Sequence, residues 1–322
     1  MKLMIAALSV VMAGLLAGPV TAAPWPDHAV RLIVPYPPGG NVDTAARVIA
    51  NKLQETLKQP FIIENKAGAG GLIAGEMFAK STPDGYTLFV GANGPVLFAP
   101  EIEKRDAYNW RRDFIPITSI SMTPLVLEVH PSVPAKSLKE FLGLVRSEPG
   151  KLTMASPGAG TTNHLLSELI QSSLNVKWLT VHYRGNAPAT NDLIAGHVEF
   201  AFDQVSVALP FVRKGMIRAL AITSSHRTAW LPDVPTFAEL GYKDIDAQTF
   251  TGLFAPKGTP PDVVNRIHDV MLTALHDQQV IDKFNAIGAE TVAMKPAEFT
   301  DYLQHETDKW IPIVRKADIK AN

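Results

Sequence analysis

The sequence predicts an α/β protein built as two lobes. Short apolar runs typical of strands alternate with amphipathic segments typical of helices along most of the 322 residues. A long extended stretch at 114–130 (FIPITSISMTPLVLEVH) separates a first alternating unit from a second. Apolar residues make up 46% and charged residues 19%, which indicates a globular protein with a sizeable core. A single doubly wound domain is the alternative.

The first unit has the order βαβαβ. Strands are predicted at 31–36, 61–63 and 86–91. A helix is predicted at 42–57, and the segment AGAGG at 67–71 opens a second helix. This order implies a parallel sheet with right-handed crossovers.

The second unit begins with a capping box, Ser137 and Glu140, which opens a helix to Arg146. Further strands are predicted at 152–155, 177–183 and 198–202, and further helices at 162–172, 188–195, 261–276 with a continuation to 287, and 296–316. Strands at 218–223 and 252–255 are expected to return to the first sheet. The predicted division is lobe 1 at 24–118 plus 220–322 and lobe 2 at 119–219.

The N-terminus has the pattern of a signal peptide, 1–22. Lys2 precedes an apolar run at 3–16, and the small residues at 20–22 predict cleavage after Ala22, or one residue later. The apolar run is shorter than the ~20 residues that a spanning helix needs, which argues against a membrane anchor. The chain is therefore expected to be exported.

The chain contains no cysteine, so neither a lipid anchor nor a disulfide is expected. An exported, Cys-free protein of this kind is expected to be soluble in a bacterial periplasm. Lys2 is the only charged residue of the signal, so its removal changes the net charge from −1 to −2. This balance and the lack of a basic stripe argue against nucleic acid as a partner.

Two Gly-rich loops precede predicted helices, at 37–41 (PPGGN) and 156–164 (SPGAGTTNH). Each exposes backbone N–H groups at a helix N-terminus, where the helix dipole favours an anion. Asn41, Thr161 and Thr162 add short polar side chains that cap the helix or bind a ligand oxygen. Either loop alone is typical of an ordinary helix entry. Two loops, one per lobe, could hold the two ends of one anionic molecule.

Four ionisable side chains are candidate ligand contacts, and each has an ordinary structural alternative. Asp43 complements the helix dipole or contacts ligand through water. His164 is expected at the rim of the pocket, and its i,i+4 partner Glu168 indicates a surface or capping interaction. Arg184 either pairs with a ligand carboxylate or faces solvent. Asp203 ends a buried strand near a crossing between lobes, where a ligand contact and a hinge are both plausible.

Enzyme motifs are missing from the sequence. It has no complete dinucleotide fingerprint, no phosphate-binding P-loop, no nucleophile elbow and no zinc-binding HExxH. We therefore expect no catalytic residue, no cofactor and no metal site.

The whole mature chain resembles the periplasmic solute-binding receptors of tripartite tricarboxylate transporters, the Bug-type family. The segments that carry this resemblance, in order, are VRLIVPYPPGGNVDTAARVIANKL (30–53), IENKAGAGGLIAG (63–75), STPDGYTLFVG (81–91), SPGAGTTNHL (156–165), VHYRGNAPATNDLIAGHVEFAFD (181–203), RALAITSSHRTAWLPDVPTFAELG (218–241) and GLFAPKGTPPDVVNRI (252–267). The resemblance implies a type II periplasmic-binding-protein fold, with a ligand cleft between two lobes. It also implies that the two Gly-rich loops grip carboxylate groups through backbone N–H groups, hydroxyls and water.

The candidate ligand-binding residues are Tyr36, Pro38, Gly39, Gly40, Asn41, Asp43, Ser156, Gly158, Gly160, Thr161, Thr162, His164, Arg184 and Asp203. Arg184 departs from the family, whose members usually carry Lys before this glycine. The segment at 91–100 (GANGPVLFAP) also departs from the usual pattern, so Asn93 is not carried over.

The resemblance implies a binding protein that delivers a small organic carboxylate to membrane permease subunits. We expect it to be a monomer. An exported hydrolase or isomerase and a ligand sensor on the same scaffold are the alternatives. The sequence leaves the ligand open among dicarboxylic, tricarboxylic, amino and aromatic acids.

Overall fold

A computed structural model describes residues 25–316. The expected signal peptide, 1–22, lies outside the described residues. Within the described part, no helix is both long and apolar enough to cross a membrane.

The strands, in chain order, are β1 (Val30–Val34), β2 (Phe61–Asn65), β3 (Thr87–Ala92), β4 (Phe114–Val129), β5 (Thr153–Ser156), β6 (Leu179–His182), β7 (Phe200–Gln204), β8 (Arg218–Ile222), β9 (Gln248–Pro256) and β10 (Glu290–Thr291). The α-helices are α1 (Asn41–Leu57), α2 (Leu72–Ala79), α3 (Ala99–Ile102), α4 (Trp110–Asp113), α5 (Leu138–Ser147), α6 (Thr162–Leu174), α7 (Asn186–Ala195), α8 (Val205–Arg213), α9 (Pro261–Leu275), α10 (Gln278–Ile287) and α11 (Pro296–Lys316). A 3₁₀ turn at Ala69–Gly71 precedes α2, and a π-helical turn at Gly94–Phe98 precedes α3.

The first sheet has the order β2-β1-β3-β9-β4, and β10 pairs with β4 at its edge. β1 is parallel to β2 and β3, while β9 is antiparallel to β3 and β4. The predicted parallel βαβαβ unit is therefore confirmed.

The second sheet has the order β4-β7-β5-β6. β5 is parallel to β6 and β7, whereas β7 and β8 are antiparallel to β4. The prediction that 218–223 returns to the first sheet is wrong, because β8 pairs with the second half of β4. Local sequence could not show this pairing, since the partners are about 90 residues apart in the chain.

Strand β4 connects the two sheets. Residues from Phe114 to Pro124 pair with β9, and residues from Leu125 to Val129 pair with β7 and β8. The chain thus passes from the first sheet to the second within one continuous strand and returns between Ile222 and Gln248. The long extended stretch that the sequence predicted is confirmed. The exact lobe boundaries stay a prediction.

Helices cover both faces of the first sheet. Ala46, Ile49 and Leu53 of α1 are buried, as the helical spacing predicted, and Leu57 is partly buried. They share a core with Met271 of α9 and with α10. Burying such side chains contributes roughly 1.5–3 kcal/mol each for the large aliphatic ones. This packing holds the N-terminus of α1 at the end of β1.

The second sheet is covered on one face by α5 and α6 and on the other by α7 and α8. Helix α8 was not predicted. Its segment VSVALPFVR contains Pro210, which removes a backbone donor and is unfavourable inside helices. Burial of Val205, Ala208 and Leu209 against the sheet outweighs that local preference.

Candidate ligand-binding site

Three helix N-termini line one small inner pocket of about 30 Å³. The helices α1, α6 and α7 begin at the caps Gly40, Thr161 and Gly185, and they follow the carboxyl ends of β1, β5 and β6. The first N–H groups of a helix lack acceptors within the helix, and the dipole adds roughly half a positive charge there. The pocket is therefore electropositive without a charged side chain.

Asn41 lines the inner pocket and carries a side-chain donor without a partner in the described part of the chain. It is only 4% exposed, and its Oδ1 accepts from Ser206 Oγ at 2.7 Å and from Thr123 Oγ1 at 3.3 Å. Its Nδ2 has no hydrogen-bond partner among the described residues. A buried donor without an acceptor costs about 1–3 kcal/mol, so this amide is suited to an acceptor that arrives with the ligand.

Two hydroxyl groups extend this set of donors. Thr162 lines the inner pocket, and Tyr36 lines both this pocket and the larger cavity outside it. Neither hydroxyl has a hydrogen bond within residues 25–316. Burial raises the pKa of Tyr36, so its phenol keeps its proton and can donate. The inner pocket has no charged lining residue in the described chain.

The outer cavity has a volume of about 640 Å³ and lies between the two lobes. The first lobe contributes 35–37 and the Gly-rich loop 67–71, and the second lobe contributes 157–161 and 182–185. A Cβ on Gly70 would lie 3.1 Å from the carbonyl oxygen of Ala159, so the two lobes approach closely here. The expected cleft is therefore present.

Arg184 and Glu103 carry the formal charges of the outer cavity and belong to opposite walls. Arg184 is exposed, and neither residue has an ion pair with another described residue. The guanidinium presents five donors, and a carboxylate or another planar acceptor can take two of them at once.

Asp43 is occupied within the protein. Its carboxylate accepts from Arg47 Nε at 2.9 Å, Arg47 Nη2 at 3.0 Å, Gly39 N at 2.9 Å and Asn65 Nδ2 at 2.9 Å. Burial acts to raise the pKa of Asp43, but the hydrogen bonds from Arg47, Gly39 and Asn65 outweigh it and lower that pKa. These contacts support the structural role that the sequence left open, because they fix the loop at the start of α1.

The loop 156–164 is held by its own side chains. Thr161 Oγ1 donates to the carbonyl of Gly158 at 2.8 Å, and Ser156 Oγ donates to the same carbonyl at 3.1 Å. Gly160 N–H donates to His164 Nδ1 at 3.2 Å. Burial, with a smaller contribution from His182, lowers the pKa of His164 to about 3, so the ring stays neutral and accepts this bond. His164 lines neither cavity and supports the loop from behind.

Asp203 lies behind the inner pocket. Its carboxylate accepts from Asn186 Nδ2 at 2.7 Å, Gln204 N at 2.9 Å, Asn163 Nδ2 at 3.3 Å and Thr190 Oγ1 at 3.3 Å. Three of these donor residues, Asn163, Asn186 and Gln204, line the pocket themselves. Asp203 thus orients part of the pocket wall.

No group of three or more His, Asp or Glu side chains in residues 25–316 could hold a metal ion.

Known proteins are similar to this chain in sequence and in fold. The sequence model described as "Tripartite tricarboxylate transporter family receptor" matches residues 45–319. The chain belongs to the tripartite tricarboxylate transporter receptor family. The Bordetella pertussis protein BugT is 35% identical over 306 residues, which cover 95% of this chain and 94% of BugT. The expected Bug-type resemblance is confirmed.

Solved structures agree with this assignment. The periplasmic binding protein BugD has a TM-score of 0.86 at 30% identity and covers 92% of this receptor. An R. palustris protein with adipate has a TM-score of 0.88 at 31% identity, and MatC from Rhodopseudomonas palustris with bound malate has 0.84 at 33%. The match to the adipate structure covers 92% of this receptor, and the match to MatC covers 90%. In all three comparisons the whole of the solved chain is covered. The predicted two-lobed α/β binding-protein fold is confirmed.

Several pocket residues of this receptor were not predicted as site residues. They are Asn163, Asn186 and Gln204 of the inner pocket, and Glu103, His182 and the 67–71 loop of the outer cavity. The five-residue run AGAGG was a usable signal, since its glycines let two loops approach. The amides gave no local signal, because their bonds join α6, α7 and β7 across the fold.

Proposed function

We propose that this receptor captures a small organic carboxylate in the periplasm and delivers it to membrane permease subunits of a tripartite tricarboxylate transporter. The observation that supports the proposal is the convergence of three helix N-termini and the free Asn41 Nδ2 on one pocket without a charged lining residue. Neutral donors of this kind bind a carboxylate well and release it when the lobes open.

The ligand extends from the inner pocket into the outer cavity in this proposal. One carboxylate lies against α1, α6 and α7, and the rest of the molecule lies between the Gly-rich loops of the two lobes. The neighbours with malate and with adipate support a chain of four to six carbons, since they share this fold at about 30% identity. The receptor acts as a monomer and turns nothing over.

We also propose two lobes whose first boundary follows Pro124, where β4 changes partner from β9 to β7. The second boundary follows Ile222, because β8 pairs in the second sheet. Closure around ligand is then a hinge motion at β4 and at the connection from β8 to β9.

The test is mass spectrometry of small molecules released from freshly purified receptor, followed by calorimetry with the released compound, malate and adipate. We expect a carboxylate to bind with a Kd of about 1 μM or less, corresponding to about −8 kcal/mol. Incubation of the complex is expected to return the ligand unchanged. Binding of neutral sugars alone, or appearance of a product, would overturn the proposal.

A further inference from the structure

Two buried carboxyl groups lie on one face of the second sheet, behind the inner pocket. Asp203 of β7 pairs in register with Val126 of β4, and Glu128 is two residues further along β4. Residues two apart in a strand point to the same face. Asp203 is 3% exposed and Glu128 is 0% exposed.

The two carboxyl groups have different surroundings. Neither oxygen of Glu128 has a hydrogen-bond partner among the described residues. Asp203 accepts from four donors, as described above. An ionised carboxylate without any partner is very costly in an apolar interior, whereas hydrogen bonds favour the ionised form. The geometry therefore gives Glu128 a permanent proton and leaves Asp203 as the group that can exchange one.

No cationic side chain within residues 25–316 forms an ion pair with Asp203. The groups that face it are Glu128 from β4, Asn163 from α6, and Asn186 and Thr190 from α7. The β5 residues nearest to β7 are Met154 and Ala155, which do not titrate. The other titratable groups on α6 and α7 already have hydrogen bonds. His164 accepts from Gly160 N–H, Glu168 accepts from Gln171 Nε2 at 3.0 Å, and Asp192 accepts from the Tyr183 hydroxyl at 2.7 Å.

Asp203 is connected to the inner pocket by short hydrogen bonds. Asn186 Nδ2 donates both to Asp203 and to Gln204 Oε1, the latter at 3.0 Å. Gln204 Nε2 donates to Asn163 Oδ1 at 2.9 Å and to Thr249 Oγ1 of β9 at 3.1 Å. A single side chain, such as Asn186, thus separates an anion in the pocket from Asp203. Charges are poorly screened in this buried region.

We propose that Asp203 links ligand capture to proton uptake, because it takes up a proton when a carboxylate enters the inner pocket beside it. This inference rests on the proposed function. Asp203 is a positioning residue, which acts on ligand through Asn163, Asn186 and Gln204. Binding of an anion favours neutral Asp203, so ligand and proton bind with positive coupling.

The pKa of Asp203 in the absence of ligand supports the linkage near neutral pH. Burial raises the pKa of Asp203 to about 7, although its hydrogen bonds act in the opposite direction. Burial also lowers the pKa of His182, which favours the neutral form of this cavity histidine. Ligand affinity is therefore highest at low pH and falls as pH rises through 7, by at most about tenfold per pH unit for one proton.

Calorimetry with malate and adipate in buffers of different ionisation enthalpy, between pH 6 and 8, measures the number of protons taken up per ligand. We expect a value between zero and one for the wild type, the same value for Glu128→Gln, and zero for Asp203→Asn. Circular dichroism establishes that each variant is folded. For a variant that does not fold, carbon-13 NMR of wild-type aspartate carboxyls gives the Asp203 pKa with and without ligand, and we expect ligand to raise it.

Each outcome decides a different claim. Binding without proton uptake by the wild type overturns the linkage and leaves the proposed function intact. Uptake that persists in Asp203→Asn, or that is lost in Glu128→Gln, overturns the assignment of the proton to Asp203. Failure of malate, adipate and the released compound to bind overturns the proposed function and the linkage with it.

Discussion

The inner pocket and the outer cavity of this receptor differ in size and in charge. The inner pocket is lined by uncharged residues at three helix N-termini, with the free amide of Asn41 among them. The outer cavity is about twenty times larger and carries Arg184 and Glu103 on opposite walls. We infer from this difference that the inner pocket binds the carboxylate that all ligands share, and that the outer cavity selects among the remaining parts of the ligand.

Substitution of Asn41 by Asp is expected to have the largest effect on binding. The change keeps the shape and the acceptor for Ser206, but it replaces the free donor with an oxygen that repels a carboxylate. Loss of a hydrogen bond to a charged group costs about 1.5–3 kcal/mol, and the added repulsion raises the expected loss of affinity above about 100-fold. Calorimetry measures the loss. Asn51→Asp, an exposed position on the same helix, is the control and is expected to bind normally.

Gly40→Ala tests the inner pocket by shape rather than charge. Gly40 has φ −85° and ψ 174°, which alanine adopts freely. Its new Cβ would lie 2.9 Å from Asn186 Oδ1, and Asn186 is held by Asp203 and Gln204. We expect affinity to fall at least about tenfold, or 1.4 kcal/mol, with folding preserved.

Gly143→Ala is the matched control for this substitution. Gly143 lies in α5, and a Cβ there meets nothing within 4 Å. The control is expected to bind normally and to gain up to about 1 kcal/mol in stability. Equal affinities of the Gly40 variant and this control would remove the α1 loop from the site.

Arg184→Gln tests the outer cavity. We expect the variant to lose affinity for dicarboxylates by up to about tenfold, a modest loss because solvent screens an exposed charge. Affinity for monocarboxylates is expected to change little, because they have no second carboxylate for Arg184 to contact. Competition binding with adipate and hexanoate measures this ratio. Arg213→Gln, an exposed position on α8, is the control. An equal loss for both acids would show that Arg184 belongs functionally to the inner pocket.

Asp43→Asn is expected to affect stability more than binding. It removes the charged partner of Arg47 and of Gly39 N–H, at a cost of about 1–2 kcal/mol in unfolding free energy. Because the folded-state pKa of Asp43 is lowered, the wild type's advantage in stability is present above about pH 4, the unfolded-state value, and is lost as pH falls through the folded-state pKa. Urea unfolding at pH 7 and pH 3 measures the difference.

Asp301→Asn, at an exposed position on α11, is the control and is expected to unfold like the wild type at both pH values. An affinity loss above about tenfold in Asp43→Asn would show that this carboxylate contacts ligand after all.

The sequence predicted the parts of the site that depend on local chemistry. The glycines and short polar residues at 37–41 and 156–164 do mark helix N-termini that meet at one pocket. The sequence could not show that α7 contributes a third N-terminus to it, because this depends on β6 lying beside β5 in the second sheet. The sequence also could not assign different surroundings to Asp43 and Asp203. Asp43 is paired locally, with Arg47 four residues later, whereas the donors to Asp203 lie on three separate elements.

A structure of the receptor with the carboxylate that it releases on purification tests the central claim most directly. We predict one carboxylate oxygen within hydrogen-bond distance of Asn41 Nδ2, with the N-termini of α1, α6 and α7 around the same carboxylate. A ligand whose carboxylates contact Arg184 or solvent, and leave the inner pocket to water, would contradict the account.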